Sequence, residues 1–134
     1  KGNRIVLPVL VDGALLYVGD LHAHMGRGEP TWVGFEAAGK ALLKVEVVKN
    51  SVVPFPRLHL SCGSIAFSAV HETSHDSAMQ LALGQAYDHL IAQQLTPEEA
   101  FGFLTAKAEA RFGGPASRQV LIVLPEVTQF LKKK

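Results

Sequence analysis

The sequence lacks several features on which whole classes of protein depend. Cys62 is the only cysteine among the 134 residues, which excludes an internal disulfide framework and fits a reducing compartment. The formal net charge of +1 provides no strong field for steering nucleic acid or an acidic lipid surface. No apolar run approaches the ~20 residues that a membrane-spanning helix needs. We therefore expect a cytoplasmic protein with neither a nucleic-acid nor a membrane partner.

The overall amino-acid composition is typical of a folded domain. Apolar residues make up 48% of the chain and charged residues 19%, which argues against disorder. A chain of this length falls within the usual range for one domain and can bury a core. We expect residues 1–134 to form a single domain.

The first half of the chain favours strands. Asp12-Gly13 supplies hairpin chemistry between two apolar runs, and Leu43, Val45 and Val47 alternate with charged residues. Residues 19–34 are rich in glycine and polar side chains and predict a long, shaped loop. We predict strands over residues 5–11, 14–18, 40–49, 58–60 and 64–69.

The second half changes to a helical period. Apolar residues recur every three or four positions and predict a helix over residues 77–94. Thr96 as cap, Pro97 at the first position and Glu99 completing a capping box predict a second helix over 97–110, and a final strand follows over 119–124. The fold class is therefore α+β: a β-rich sheet or sandwich with a helix pair near the C-terminus and a last strand. The side chains expected to face the sheet are Leu83, Tyr87, Leu90, Phe101 and Leu104.

The densest chemistry lies in the predicted loop. In extended backbone the side chains of Asp20, His22 and His24 project to the same face. A carboxylate and two imidazoles on one face suit a divalent metal ion or a general-base cluster. Two glycines precede Glu29 and allow a tight turn that brings its carboxylate back towards the same point. The structural alternative is a solvated loop whose histidines bond to nearby carbonyls.

Several segments of the chain resemble the signature of the acetamidase/formamidase family. They are Leu7-Pro8-Val9, Gly13-Ala14-Leu15-Leu16, Gly19-Asp20-Leu21-His22-Ala23 and Gly26-x-Gly28-Glu29, followed by Glu36. The resemblance covers nearly the whole chain. It implies a metal-associated hydrolase that cleaves small amides, of the formamide or acetamide type, to a carboxylic acid and ammonia.

The resemblance also implies roles for individual residues. Asp20 and His22 match family positions and are expected to hold a divalent ion, together with His24, which is this chain's own addition. Zinc is preferred as the ion and calcium is the alternative. Glu29 and Glu36 also match family positions and are the expected catalytic residues, one of which acts as the base.

Two departures from the family pattern supply an alternative of a different class. Arg27 stands where the family usually has an acidic residue, and family chains are longer, with a β-rich N-terminal region that has no counterpart here. The alternative is a non-catalytic or partner-dependent remnant of the same fold. For the same reason we expect association, either as a homo-oligomer or with a complementary chain.

A second motif competes for the metal. His71-Glu72-Thr73-Ser74-His75 matches His-Glu-x-x-His, the zinc-hydrolase pattern in which two histidines one helical turn apart flank a base. Thr73, Ser74 and nearby Ser77 are residues that cap helices rather than continue them. We therefore predict that the helix starts between residues 73 and 77 and leaves His71 outside, which disfavours the zinc-hydrolase interpretation.

Overall fold

The computed structural model describes residues 2–113 and 118–127, and it has the α+β architecture that the periodicity predicts. A five-stranded antiparallel sheet has the order β1-β4-β5-β7-β6, and β2 and β3 form a separate two-stranded hairpin. Two helices pack against one face of the large sheet. The elements are β1 (Arg4–Val6), β2 (His22–His24), β3 (Phe35–Glu36), β4 (Arg57–Leu60), β5 (Ser64–Val70), α1 (His75–Ala92), α2 (Pro97–Lys107), β6 (Glu109–Phe112) and β7 (Gln119–Pro125).

The centre of the molecule is the pairing of β5 with β7. The two strands run antiparallel over their full length, from Ser64 opposite Pro125 to Val70 opposite Gln119. Alternate residues of both strands point to the helices, as the period of two requires. These inward residues are all buried: Ile65, Phe67, Ala69, Val120, Ile122 and Leu124.

α1 packs on this surface through its smallest residues. Ala78, Ala82 and Ala86 are fully buried at a spacing of four and Leu90 is 1% exposed, so the helix backbone can approach the sheet closely. Leu90 faces the sheet as predicted, and Leu83, Tyr87 and Leu104 are partly buried beside the core. The prediction for Phe101 is wrong, because its side chain is 69% exposed and Ala100 is the buried residue of α2.

The helix starts agree with the local capping signals. Ser74 caps α1 by accepting from the Ser77 amide, and Thr96 and Glu99 form the predicted capping box of α2. α2 ends at Lys107, however, earlier than predicted. The following residues form β6, because pairing with β7 outweighs the helical tendency of Glu109 and Ala110.

The N-terminal third contains less strand than the alternation predicts. Of residues 5–11 only the first two are in the sheet, where β1 pairs with β4, and residues 7–21 and 37–56 contain no strand. Val45 and Val47, on the apolar side of the predicted alternation, are 63% and 80% exposed. A strand needs a neighbour to take its backbone hydrogen bonds, and these segments have no such partner within the described residues.

Among residues 2–113 and 118–127, no helix combines the length and the apolar character that crossing a membrane requires.

Candidate metal centre

A short hairpin that begins inside the predicted loop and ends just after it carries the candidate site. β2 and β3 pair so that His22 lies opposite Glu36 and His24 opposite Phe35, with a register shift between the two histidines. Backbone hydrogen bonds within residues 26–32 close the connecting turn. Pairing across the hairpin therefore brings together groups that are 14 residues apart in the sequence.

Three potential ligands converge at the base of this hairpin. The Nε2 atom of His22 lies 3.0 Å from Oε1 of Glu36 and 3.2 Å from Oδ1 of Asp20. One donor atom from each of the three residues falls within 4.8 Å of the other two. The His22 side chain is 12% exposed, whereas those of Asp20 and Glu36 are 80% and 75% exposed. A packed imidazole thus meets two carboxylates that are open to solvent.

The carboxylates change the proton affinity of the imidazole. Partial burial is the largest single influence on the pKa of His22 and lowers it. The hydrogen bond to Glu36 and the negative charges of Asp20, Glu36 and Glu29 together outweigh burial, so the pKa is raised above its ordinary value. The same negative field that stabilises an imidazolium favours a bound cation when the imidazole is neutral.

His24 and Glu29 lie outside this group of three. Extended backbone from residue 20 to residue 24 would align Asp20 with both histidines, but Asp20 adopts a left-handed conformation (φ 57°) and the hairpin register shifts between His22 and His24. The imidazole of His24 is exposed on β2. Glu29 sits in the turn with φ 51° and acts on His22 through its charge.

The sequence pattern does not predict which residues contact the His22 ring on its other side. Nδ1 of His22 lies 3.3 Å from the Met25 sulfur, and Gly34 faces the ring at short range. Both contacts depend on the hairpin register, which composition and spacing do not specify. Next to them, a shallow depression of about 290 Å³ is lined by His24, Met25, Gly26, Thr31, Val33 and Phe35.

The competing His-Glu-x-x-His motif does not form a helical ligand pair. α1 begins at His75, so His71 precedes the helix, as predicted from the capping residues. His71 Nδ1 accepts a 3.3 Å hydrogen bond from the Thr73 amide, while the His75 ring packs edge-on against Phe112 with centroids 5.9 Å apart. Among the described residues, the group that could hold an ion is the one around His22.

Comparison with known proteins identifies the family. The sequence model of the acetamidase/formamidase family matches residues 1–125. The chain belongs to the acetamidase/formamidase family. A solved structure of a predicted acetamidase/formamidase from the thermophile Thermoanaerobacter tengcongensis superposes with a TM-score of 0.77 and 31% sequence identity, covering 98% of this chain and 44% of that one.

Curated relatives match over shorter stretches. A formamidase of Methylophilus methylotrophus is 43% identical, and a putative formamidase of Schizosaccharomyces pombe 42% identical, each over 53 residues that make up 39% of this chain and 13% of the relative. A 72-residue segment is also 31% identical to part of a farnesyl pyrophosphate synthase of Penicillium aethiopicum, covering 54% of this chain and 21% of that protein. These matches cover 13–21% of the length of each curated relative, and the chain spans 44% of the solved family structure.

Proposed function

We propose that this chain carries the metal centre of a hydrolase that cleaves small amides of the formamide or acetamide type and releases ammonia. The observation that carries the proposal is the convergence of Asp20 and Glu36 on Nε2 of His22. Family membership supports the reaction class. Of the four positions that the family resemblance singles out, Asp20, His22 and Glu36 meet in space and Glu29 does not.

The donor set fits a divalent ion of the zinc type. Catalytic zinc sites usually take three protein ligands drawn from histidine and carboxylates and leave a position open for water or substrate. Calcium prefers six to eight oxygen ligands, so the His22 nitrogen favours zinc over calcium. The exposed carboxylates of Asp20 and Glu36 leave the centre open to solvent. His24 lies on the same strand as His22 but outside the group of three, so the proposed ligands are Asp20, His22 and Glu36.

A bound divalent ion would acidify a water molecule and polarise the amide carbonyl. The chain's own residues then move the proton. A glutamate accepts it from the attacking water and delivers it to the amide nitrogen, which leaves poorly unless it is protonated. Glu29 and Glu36 are the two candidates. Glu29 lies outside the group of three and acts on it by charge, whereas Glu36 belongs to that group and would have to use the carboxylate oxygen that does not bind the ion.

The depression beside the hairpin is a candidate place for the substrate. It adjoins the metal centre through Met25, whose sulfur contacts His22. Its volume of about 290 Å³ lies just below the range of typical ligand pockets and suits a very small substrate. We place the activity in the cytoplasm, consistent with the single cysteine.

The partner-dependent alternative has its own supporting observation. Large apolar side chains in residues 7–52 are exposed, among them Leu10 at 83%, Leu42 at 101% and Val47 at 80%. So many exposed large apolar side chains in one part of the chain indicate an interaction surface. We propose that this surface is covered by a second copy of the chain or by a complementary chain of the family, and that hydrolysis requires the covered state.

Ammonia release from formamide and acetamide tests the proposed function. We expect activity that chelator treatment abolishes and added zinc restores. Glu36→Gln should reduce this activity by at least about 100-fold, because it removes a proposed ligand that is also a candidate base, and general acid–base catalysis alone typically contributes 10²–10⁴-fold. Glu98→Gln, which changes an exposed glutamate in the first turn of α2, is the matched control and should retain activity. No ammonia from the chain alone, but turnover when it is co-expressed with the N-terminal region of a family relative, would favour the partner-dependent form. No turnover in either case would contradict both.

A further inference from the structure

We propose that Gly34 is a positioning residue, whose lack of a side chain allows the His22 imidazole to aim Nε2 at the two carboxylates. The proposal rests on the proposed function in one respect, since it takes His22 as the central ligand. Gly34 would contact neither the metal ion nor the substrate, but it would control the orientation of His22, which binds the ion.

The His22 ring leaves no room for a side chain at position 34. A Cβ atom built on Gly34 would lie 2.6 Å from both Cγ and Nδ1 of His22 and 3.0 Å from Cδ2. Non-bonded carbon atoms prefer separations of about 3.5–4.0 Å. Any other residue at position 34 would therefore force the ring or the hairpin backbone to move by roughly 1 Å.

Backbone conformation does not account for this glycine. Gly34 does not adopt a left-handed φ, unlike Gly13 and Gly28, so an alanine could adopt the same backbone angles. Gly34→Ala is thus a clean test of the contact with His22, without added backbone strain.

The ring cannot move away without losing its present contacts. On one edge Nε2 lies 3.0 Å from Glu36 and 3.2 Å from Asp20, and on the other Nδ1 lies 3.3 Å from the Met25 sulfur. A neutral imidazole with its proton on Nδ1, directed at the weak sulfur acceptor, leaves the Nε2 lone pair free for an ion. A displacement of about 1 Å would disturb both edges together, and ligand sites need their groups held to within about 0.5 Å.

Zinc titration by calorimetry is the first part of the test. Groups that orient a metal ligand typically change affinity by about 10–100-fold, so Gly34→Ala should weaken zinc binding by that factor. Gly102→Ala is the matched control, because a Cβ there meets nothing within 4 Å, and its zinc affinity should equal that of the wild type. Equal affinities for the wild type and Gly34→Ala would overturn the proposal.

Two metal-free measurements separate this proposal from the metal site itself. The ring ¹⁵N chemical shifts of His22 at one fixed pH should change in Gly34→Ala and stay unchanged in Gly102→Ala. In a double-mutant cycle, the destabilisation caused by Gly34→Ala should disappear in a His22→Ala background, because the ring that it meets is gone. If Gly34→Ala alone does not fold, recovery of folding in the double variant supports the contact and failure to recover overturns it. If the wild type binds no zinc, the proposed metal centre fails, and the shifts and the cycle still decide the role of Gly34.

Discussion

A cluster of ionisable side chains lies near the buried ring of Phe67, away from the candidate metal centre. The Arg57 guanidinium lies 4.9 Å from the ring centroid, the His89 ring lies 5.3 Å from it, and His59 shares a face of β4 with Arg57. Burial is the main cause that lowers the pKa of His59 and His89, and the charge of Arg57 lowers both further, while Glu126 opposes the change. These histidines resist protonation in the folded state.

This predicts a loss of stability on acidification. A histidine whose folded pKa lies below the unfolded value of about 6.5 contributes stability that is present above that pH and is lost as pH falls through it towards the folded pKa. The midpoint of urea unfolding should therefore fall between about pH 7.5 and about pH 5.5, and fall less in His89→Phe than in the wild type. His22 has a raised pKa and works in the opposite direction, so the comparison of variant with wild type isolates His89. An equal acid-induced change in both proteins would contradict the prediction.

At the same residue scale, the candidate site could be predicted only in part. Residue types in 20–24 and the family resemblance singled out Asp20 and His22 as ligands and Glu36 as a catalytic residue, and these three meet. His24, the third expected ligand, and Glu29, the glutamate expected to converge on them, lie outside the group. The alternation argument behind that expectation required extended backbone, and the left-handed Asp20 and the register shift after His22 break it. Met25 and Gly34 could not be predicted, because their contacts with His22 arise from pairing across the hairpin.

At the scale of the elements, the packing of α1 predicts a strong position dependence for leucine truncation. Leu90 is 1% exposed in the core between α1 and the sheet, whereas Leu81 on the same helix is 44% exposed. Leu90→Ala should lower the free energy of unfolding by about 2–5 kcal/mol, because the change removes buried methyl groups and leaves a cavity. Leu81→Ala should change it by less than about 1 kcal/mol. Urea unfolding measures both, and similar values for the two variants would show that α1 does not pack as described.

Element boundaries could be predicted where local chemistry decides them. The starts of α1 and α2 follow from Ser74, Thr96 and Glu99, which act on the backbone within four residues. The end of α2 could not be predicted in this way. Glu109–Phe112 has residues that tolerate a helix, and only the long-range pairing with β7 makes it a strand. β2 and β3 are also short, at three and two residues, and carry no alternation long enough to detect.

For the whole molecule, the fold class follows from the change of period along the chain, and the five-stranded sheet with its helix pair agrees with it. The strand predictions over residues 14–18 and 40–49 failed, and of residues 5–11 only the first two are in a strand. The pattern of residues 40–49 is that of a half-buried strand, yet Val45 and Val47 are exposed and no strand forms there in the described structure. Alternation indicates which face of a strand prefers burial, but a strand forms only when another strand pairs with it. The chain spans 44% of the family structure that it resembles.

His22 is the central ligand of the proposed metal site, and a calorimetric zinc titration of three proteins tests this role most directly. The wild type should bind one zinc ion per chain, and His22→Ala should lower the affinity by at least about 100-fold, since losing a ligand costs no less than losing a residue that orients one. His75→Ala removes an equally ligating side chain from the competing motif, where it packs on Phe112, and should bind zinc as the wild type does. Equal losses in the two variants, or undiminished zinc binding by His22→Ala, would contradict the assignment.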